Sequence, residues 1–233
     1  MDFDQYAGNY REIINQVSRA SGEQFEYFIQ LRISLMAARL AGRGESGAGL
    51  KILDFGCGTG ATELFLQERF PQAAVFGTDV SAESIRVACS RELAGVEFVC
   101  SDSTALPFPD DYFDVIYSNG TMHHIPPSER PAVLQEIYRT CKKGGSVFIF
   151  ENNPANPLMM RAMRNNPFDR DAQVVPPAHL KELVEESGFS TRQTCYYFFF
   201  PRVLRFLRFL DRHLGWLPVG AQYFNWSTKQ GLS

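Results

Sequence analysis

The sequence predicts an α/β protein with a largely parallel sheet covered by helices on both faces. Three observations carry this expectation. From residue 50 onward, short apolar runs alternate with stretches of helical spacing. The first run ends in a glycine-rich turn, Asp54-Phe55-Gly56-Cys57-Gly58-Thr59-Gly60, where a strand would hand over to a helix. The 233 residues, 45% of them apolar, are enough for one large core without disulfide or metal staples.

Residues 8–41 read as helical: Ser21 and Gln24 have capping-box spacing, and Phe25, Phe28, Ile29, Leu31, Leu35 and Met36 recur at helical intervals. Residues 42–49 hold four glycines in eight positions and read as a linker, leaving 1–41 as a helical cap and 50–233 as the main domain. Strands are predicted at Leu50–Phe55, Ala74–Val80, Val96–Cys100, Phe113–Ser118 and Ser146–Phe150. Helices are predicted at Ala61–Phe70, after an N-cap at Ser81, and from Ser128 to Cys141. Beyond strand five, 152–175 reads as a partly helical insertion with Asn-Pro pairs and Met159, Met160 and Met163. Helix Pro177–Ser187, strand Thr191–Phe200, an insertion at 201–218 containing a helix over 202–214, and strand Ala221–Thr228 follow.

A formal charge of -3 argues against a nucleic-acid surface, because neutralising phosphates takes a basic excess. Five scattered cysteines without a Cys-x-x-Cys pair fit a reducing, cytoplasmic setting rather than a disulfide framework. The N-terminal stretch carries acids where a leader peptide needs bases, and no 18-residue apolar run is present.

The glycine loop lets backbone come within contact of a ligand, since a Cβ would fill that space. Asp79, at the end of the second strand and 19 residues after Gly60, is placed to accept hydrogen bonds from ribose hydroxyls. Loop and acid together point to a nucleoside-containing cofactor. Gly56, Gly58 and Ala61 also satisfy the looser dinucleotide pattern, so a nicotinamide dinucleotide stays open on this piece alone. Asp54 tilts the choice, because its carboxylate would repel a pyrophosphate and attract an ammonium. Asp102, ending the third strand before Ser103, is placed to accept the amine of adenine.

These segments, with Leu106-Pro107-Phe108-Pro109-Asp110 and Phe113-Asp114-Val115-Ile116-Tyr117-Ser118, resemble the class I S-adenosylmethionine-dependent methyltransferases. The resemblance is nearest to the small-molecule branch that includes ubiquinone and menaquinone biosynthesis enzymes. It implies a doubly wound, Rossmann-like seven-stranded sheet in the order 3-2-1-4-5-7-6 with strand seven antiparallel. It also implies S-adenosylmethionine as cofactor, S-adenosylhomocysteine as product, and cofactor contacts at Asp54, Gly56, Gly58, Gly60, Asp79, Val80, Asp102, Ser103 and Asn119. Arg32, on the N-terminal helix, is the candidate partner of the methionine carboxylate.

His123 and His124 follow the fourth strand and Glu151 ends the fifth, which places all three near the transferred methyl as candidate catalytic groups. Adjacent histidines on a loop are expected to point apart, and no carboxylate sits at convincing spacing, so no metal site is expected. At 100° per residue, Arg202, Arg205, Arg208 and Arg212 fall on one helical face and the apolar residues on the other. The expectation is a helix packed on the sheet with its arginines in water; the alternative is contact with an anionic membrane. The functional expectation is in-line methyl transfer to a small, partly hydrophobic acceptor, an oxygen being favoured over nitrogen or carbon. The alternatives are a membrane-associated quinone or lipid methyltransferase and a non-catalytic cofactor-binding module.

Overall fold

The computed structural model describes residues 10–17, 21–44 and 49–231. Seven strands form one sheet: β1 (Lys51–Phe55), β2 (Ala74–Asp79), β3 (Val96–Cys100), β4 (Phe113–Asn119), β5 (Cys141–Asn152), β6 (Phe189–Tyr197) and β7 (Gln222–Lys229). Their order is β3-β2-β1-β4-β5-β7-β6, with β7 antiparallel to both neighbours and the other pairs parallel, as the resemblance implies. The helices are α1 (Tyr10–Val17), α2 (Phe25–Gly42), α3 (Thr62–Arg69), α4 (Ala82–Cys89), α5 (Arg130–Thr140), α6 (Pro157–Arg164), α7 (Pro177–Glu186) and α8 (Asp211–Leu214).

Strand periodicity sends neighbouring residues to opposite faces, and each face carries its own core. Leu53, Phe76, Ile116, Val147 and Ile149 pack with α5 and α7 through Leu134, Ile137, Leu180 and Val184. Ile52, Val75, Val115, Tyr117, Phe148 and Phe150 pack with α2 and α3 through Ile29, Ile33, Met36, Leu40 and Leu66. Helix α2 is therefore a layer of the main core rather than a detachable cap. It extends to Gly42, one residue into the predicted linker, and 45–48 lie outside the described residues.

Several helix starts differ from expectation. Ser81 caps α4, its Oγ accepting the Ser84 N–H at 3.0 Å. No capping box forms at Ser21: its Oγ takes the Glu23 N–H, and the first N–H of α2, from Phe25, goes to Asn15 Oδ1 at 2.8 Å. Helix α5 starts at Arg130 with no side-chain cap, so Ser128 does not play that part. Two of the three Asn-Pro pairs begin a helical turn. Asn156 caps α6 and Asn166 caps a 3-10 turn at Pro167–Asp169, the proline taking the first position, where no N–H is needed.

The predicted helix over 202–214 is a 3-10 segment over Arg202–Leu210 followed by the short α8. With three residues per turn, positions three apart align. Arg202, Arg205 and Arg208 face a groove bounded by Glu23, Glu26 and Tyr27, where Arg208 pairs with Glu23 Oε1 at 2.7 Å and stands over the Tyr27 ring. Val203, Phe206 and Phe209 point the other way and are 78%, 67% and 62% exposed. Arg202, Arg205 and Arg212 are exposed as expected, but Val203, Phe206 and Phe209 are exposed too instead of packing on the sheet.

Candidate active site

One cavity of about 1180 Å³ opens at the carboxyl ends of β1, β2, β4 and β5, where doubly wound sheets place their ligands. That volume exceeds the usual range for a single small ligand and leaves room for a nucleoside cofactor plus an acceptor. Strand β1 delivers Asp54 and then the glycine loop. Gly56, Gly58 and Gly60 have φ of +80°, +54° and +71°, a region that L side chains enter only with strain. Their surroundings differ in kind. A Cβ on Gly56 would lie 2.2 Å from Thr121 Oγ1, and one on Gly60 would meet Ala88 and Phe98, whereas nothing lies within 4 Å of one on Gly58. Gly56 and Gly60 are glycine for packing; Gly58 borders open cavity.

Asp79 ends β2 and fixes this loop: its Oδ2 accepts the Gly58 N–H at 2.8 Å and its Oδ1 the Ser81 N–H at 2.9 Å. Each carboxylate oxygen has a second lone pair, so the group still has capacity for ribose hydroxyls. Asp54 is 2% exposed, and burial raises its carboxyl to about 7, against a hydrogen bond from Thr62. An ammonium beside it would restore the charge. The buried Arg32 of α2, which also lines the cavity, donates from Nε to Tyr117 Oη at 3.2 Å. Asp54 and Arg32 thus offer an anion and a cation at one end, the pattern an amino-acid zwitterion requires. Val80, Ser101, Ser103 and Asn119 also line the cavity. Asp102 is engaged locally. Its Oδ1 accepts the backbone and hydroxyl of Thr104, both at 2.8 Å, which closes an exposed turn outside the cavity lining.

The predicted catalytic residues come together at the end of β4. A 3-10 turn, Met122–His124, is stapled by Arg130, whose Nε donates to the carbonyls of Met122 and Ile125. Glu151, 2% exposed, accepts the Met122 N–H on Oε1 at 2.9 Å and meets His123 Nδ1 on Oε2 at 2.5 Å. On its other side, His123 Nε2 lies 3.3 Å from Asp169 Oδ1, and His124 Nε2 lies 3.6 Å from the same oxygen. Burial works against a charge on His123, but Glu151 and Asp169 outweigh it and raise the imidazole to about 10. It therefore keeps its proton at neutral pH. Burial and the neighbouring His123 push His124 down to about 4, leaving it neutral. Glu151 has both oxygens engaged. The two histidines do not diverge as expected; their ring centroids are 4.2 Å apart and both lean on Asp169. No sequence signal marked Asp169, which arrives from the insertion after β5.

The remaining wall is apolar. Phe25, Phe28, Met159 and Phe168 line it, with Phe198 held at φ +58°, strained for an aromatic residue, and packed edge-on against Phe28 at 4.9 Å. Of the three insertion methionines, Met159 faces the cavity and Met163 is buried beside it in α6. Residues 202–218 do not line this space.

The sheet order is the one the class I methyltransferase resemblance implies, and the acid, arginine and glycine loop stand together at the carboxyl ends of its strands. Residues 52–145 match the family described as Methyltransferase domain. Phosphoethanolamine N-methyltransferase 1 of Arabidopsis thaliana is 38% identical over 104 residues, 43% of this chain and 21% of that protein. The UbiE ubiquinone/menaquinone biosynthesis C-methyltransferase of Desulfotalea psychrophila is 28% identical, over 65% of this chain and 57% of its own length. The chain thus spans about a fifth of the first of these relatives and just over half of the second. A Thermotoga maritima structure, described as a methyltransferase and possible histamine N-methyltransferase, superposes with a TM-score of 0.69 at 19% identity, covering 98% of both chains. Its likeness is one of fold.

Proposed function

We propose that this protein transfers the methyl group of S-adenosylmethionine to a small, partly hydrophobic metabolite in a reducing, cytoplasmic setting. The observation that carries the reading is the open space at Gly58 between Asp54 and Asp79. Asp54 and Arg32 hold the amino-acid end, the loop backbone and Asp79 hold the ribose beside Val80, and Ser101 and Ser103 bound the purine. The bound cofactor supplies an electrophilic methyl on a sulfonium. The protein's own part is alignment, for which orienting the reactants can supply about 7–11 kcal/mol.

The acceptor lies between the apolar wall and the His124–Asp169 end. An oxygen acceptor suits these polar groups. His123 and Glu151 act as positioning residues, one already protonated and the other fully engaged. The relatives carry N- and C-methyltransferase names, so acceptor chemistry does not transfer from them. Five free cysteines, three of them buried, support the reducing setting. The test is incubation with methyl-labelled cofactor and a metabolite extract. Label in the low-mass fraction together with S-adenosylhomocysteine supports the reading; label confined to RNA or protein overturns it, and no turnover with intact cofactor binding points to a non-catalytic module.

A second reading, that the acceptor is met at a membrane surface, is favoured by the outward face of Val203, Phe206 and Phe209, with Trp216 74% exposed nearby in sequence. Exposed Arg212 supplies charge toward anionic lipid. No helix among the described residues is long and apolar enough to cross a membrane, so the contact is peripheral. Flotation with anionic vesicles tests it, and failure to bind them removes it.

A further inference from the structure

We propose that His123, His124 and Asp169 form a binding site for one divalent transition-metal ion at the acceptor end of the cavity. The donor atoms of these three side chains all lie within 4.8 Å of one another. A tetrahedral ion with bonds of ~2.0–2.1 Å to nitrogen and oxygen needs ligand atoms roughly 3.3–3.4 Å apart. Two of the three edges are already near that: Asp169 Oδ1 stands 3.3 Å from His123 Nε2 and 3.6 Å from His124 Nε2. The third closes by a modest turn of His124, the most exposed of the three at 18%.

The surroundings are those of a built site. An imidazole that ligates through Nε2 gives its Nδ1–H to a carboxylate in most metal centres, which fixes the tautomer and aims the lone pair. Glu151 does this for His123 at 2.5 Å and is itself anchored by the Met122 N–H. Asn166 Nδ2 donates to the other oxygen of Asp169 at 2.9 Å, leaving Oδ1 turned toward the histidines. All three ligands line the cavity, so a fourth coordination position faces the space left for the acceptor. Two imidazoles and one carboxylate select zinc, manganese or iron over magnesium and calcium, which prefer all-oxygen shells. Binding displaces the proton that His123 otherwise holds on Nε2, and the dication then takes over the balance of Glu151 and Asp169.

This deepens the preceding reading by naming what would meet an acceptor oxygen, and it takes from that reading only what the fourth position faces. The test therefore uses neither cofactor nor acceptor. The full chain is stripped with a chelator and titrated with zinc chloride in a calorimeter, and with cobalt chloride in a spectrophotometer. The expected result is one equivalent bound, with visible cobalt absorption. Affinity falls at least about 100-fold in Asp169→Asn and in His124→Gln, and about 10–100-fold in Glu151→Gln. Circular dichroism identifies any variant that fails to fold, and His124→Gln, at the cavity edge, is the variant least exposed to that outcome. Absence of saturable binding to the wild-type chain overturns the proposal. So does binding that survives both ligand substitutions in folded protein. Because cofactor affinity is measured separately, failure here leaves methyl transfer standing, and failure of methyl transfer leaves the metal titration readable.

Discussion

Gly58→Ala separates two jobs that a glycine loop combines. Gly58 sits at φ +54° with no atom within 4 Å of a Cβ built on it. Its cost to stability is then backbone strain alone, about 1–2 kcal/mol. At 233 residues, each kcal/mol lowers Tm by about 2–4 °C. The methyl nevertheless enters the space beside Asp79 where the nucleoside would lie, so S-adenosylhomocysteine affinity falls more than about tenfold, the equivalent of ~1.4 kcal/mol. Gly56→Ala is the control. Its φ of +80° carries the same strain, and its Cβ would lie 2.2 Å from Thr121 Oγ1 and 2.7 Å from Thr121 Cγ2. Overpacking adds about 1–3 kcal/mol, so this variant melts below Gly58→Ala. Differential scanning calorimetry gives the order of the melts and titration calorimetry gives the affinities. A Gly58→Ala protein that binds the nucleoside like wild type, or that melts below Gly56→Ala, would refute the division of labour.

Other consequences concern charge, the outer face and the loop acid. Glu63 is fully buried on α3 with neither oxygen hydrogen-bonded, and burial and then Asp54 hold its carboxyl well above the usual range. The folded state keeps a proton that the unfolded chain releases above pH ~4.3, so this group costs stability increasingly as pH rises toward its folded value. Glu63→Gln is accordingly more favourable relative to wild type in melts at pH 8 than at pH 5; a difference independent of pH contradicts the assignment. Phe206→Glu with Phe209→Glu changes stability by no more than about 0.5 kcal/mol, because both rings already face solvent. It also removes binding to anionic vesicles; equal flotation of variant and wild type counts against the membrane reading. Arg208→Ala, which loses the Glu23 pair and the Tyr27 and Phe198 rings, lowers stability by about 1–2 kcal/mol in chemical denaturation. An unchanged midpoint would mean the 3-10 segment is not held there.

The parts of the site that were legible in sequence are those written locally. A glycine loop after an apolar run and an acid at the end of the next strand are short-range patterns, and Asp54, Gly58 and Asp79 stand where those patterns put them. At Asp102 an Asx turn to Thr104 engages one carboxylate oxygen, a local choice that strand periodicity does not encode. The arginine-rich segment was misread through its period: stepping by 120° rather than 100° regroups the same residues and turns the apolar set outward. Ser21 and Ser128 have the right residue type for caps, yet tertiary contacts of Asn15 and Arg130 set those helix starts instead. Asp169 was invisible for a different reason. It reaches the histidines only because two Asn-Pro caps fold the insertion back over the cavity, and nothing in its own neighbourhood announces a ligand.

Methyl transfer by this protein depends on recognition of a charged sulfonium nucleoside by the acids at the tips of β1 and β2, as proposed above. Titration calorimetry of the wild-type chain and of Asp79→Asn with S-adenosylhomocysteine tests that directly. One equivalent bound to the wild type, with binding weakened at least tenfold in a variant of unchanged circular dichroism, is the predicted result. Folded wild-type protein that takes up neither this nucleoside nor its methylated parent would contradict it.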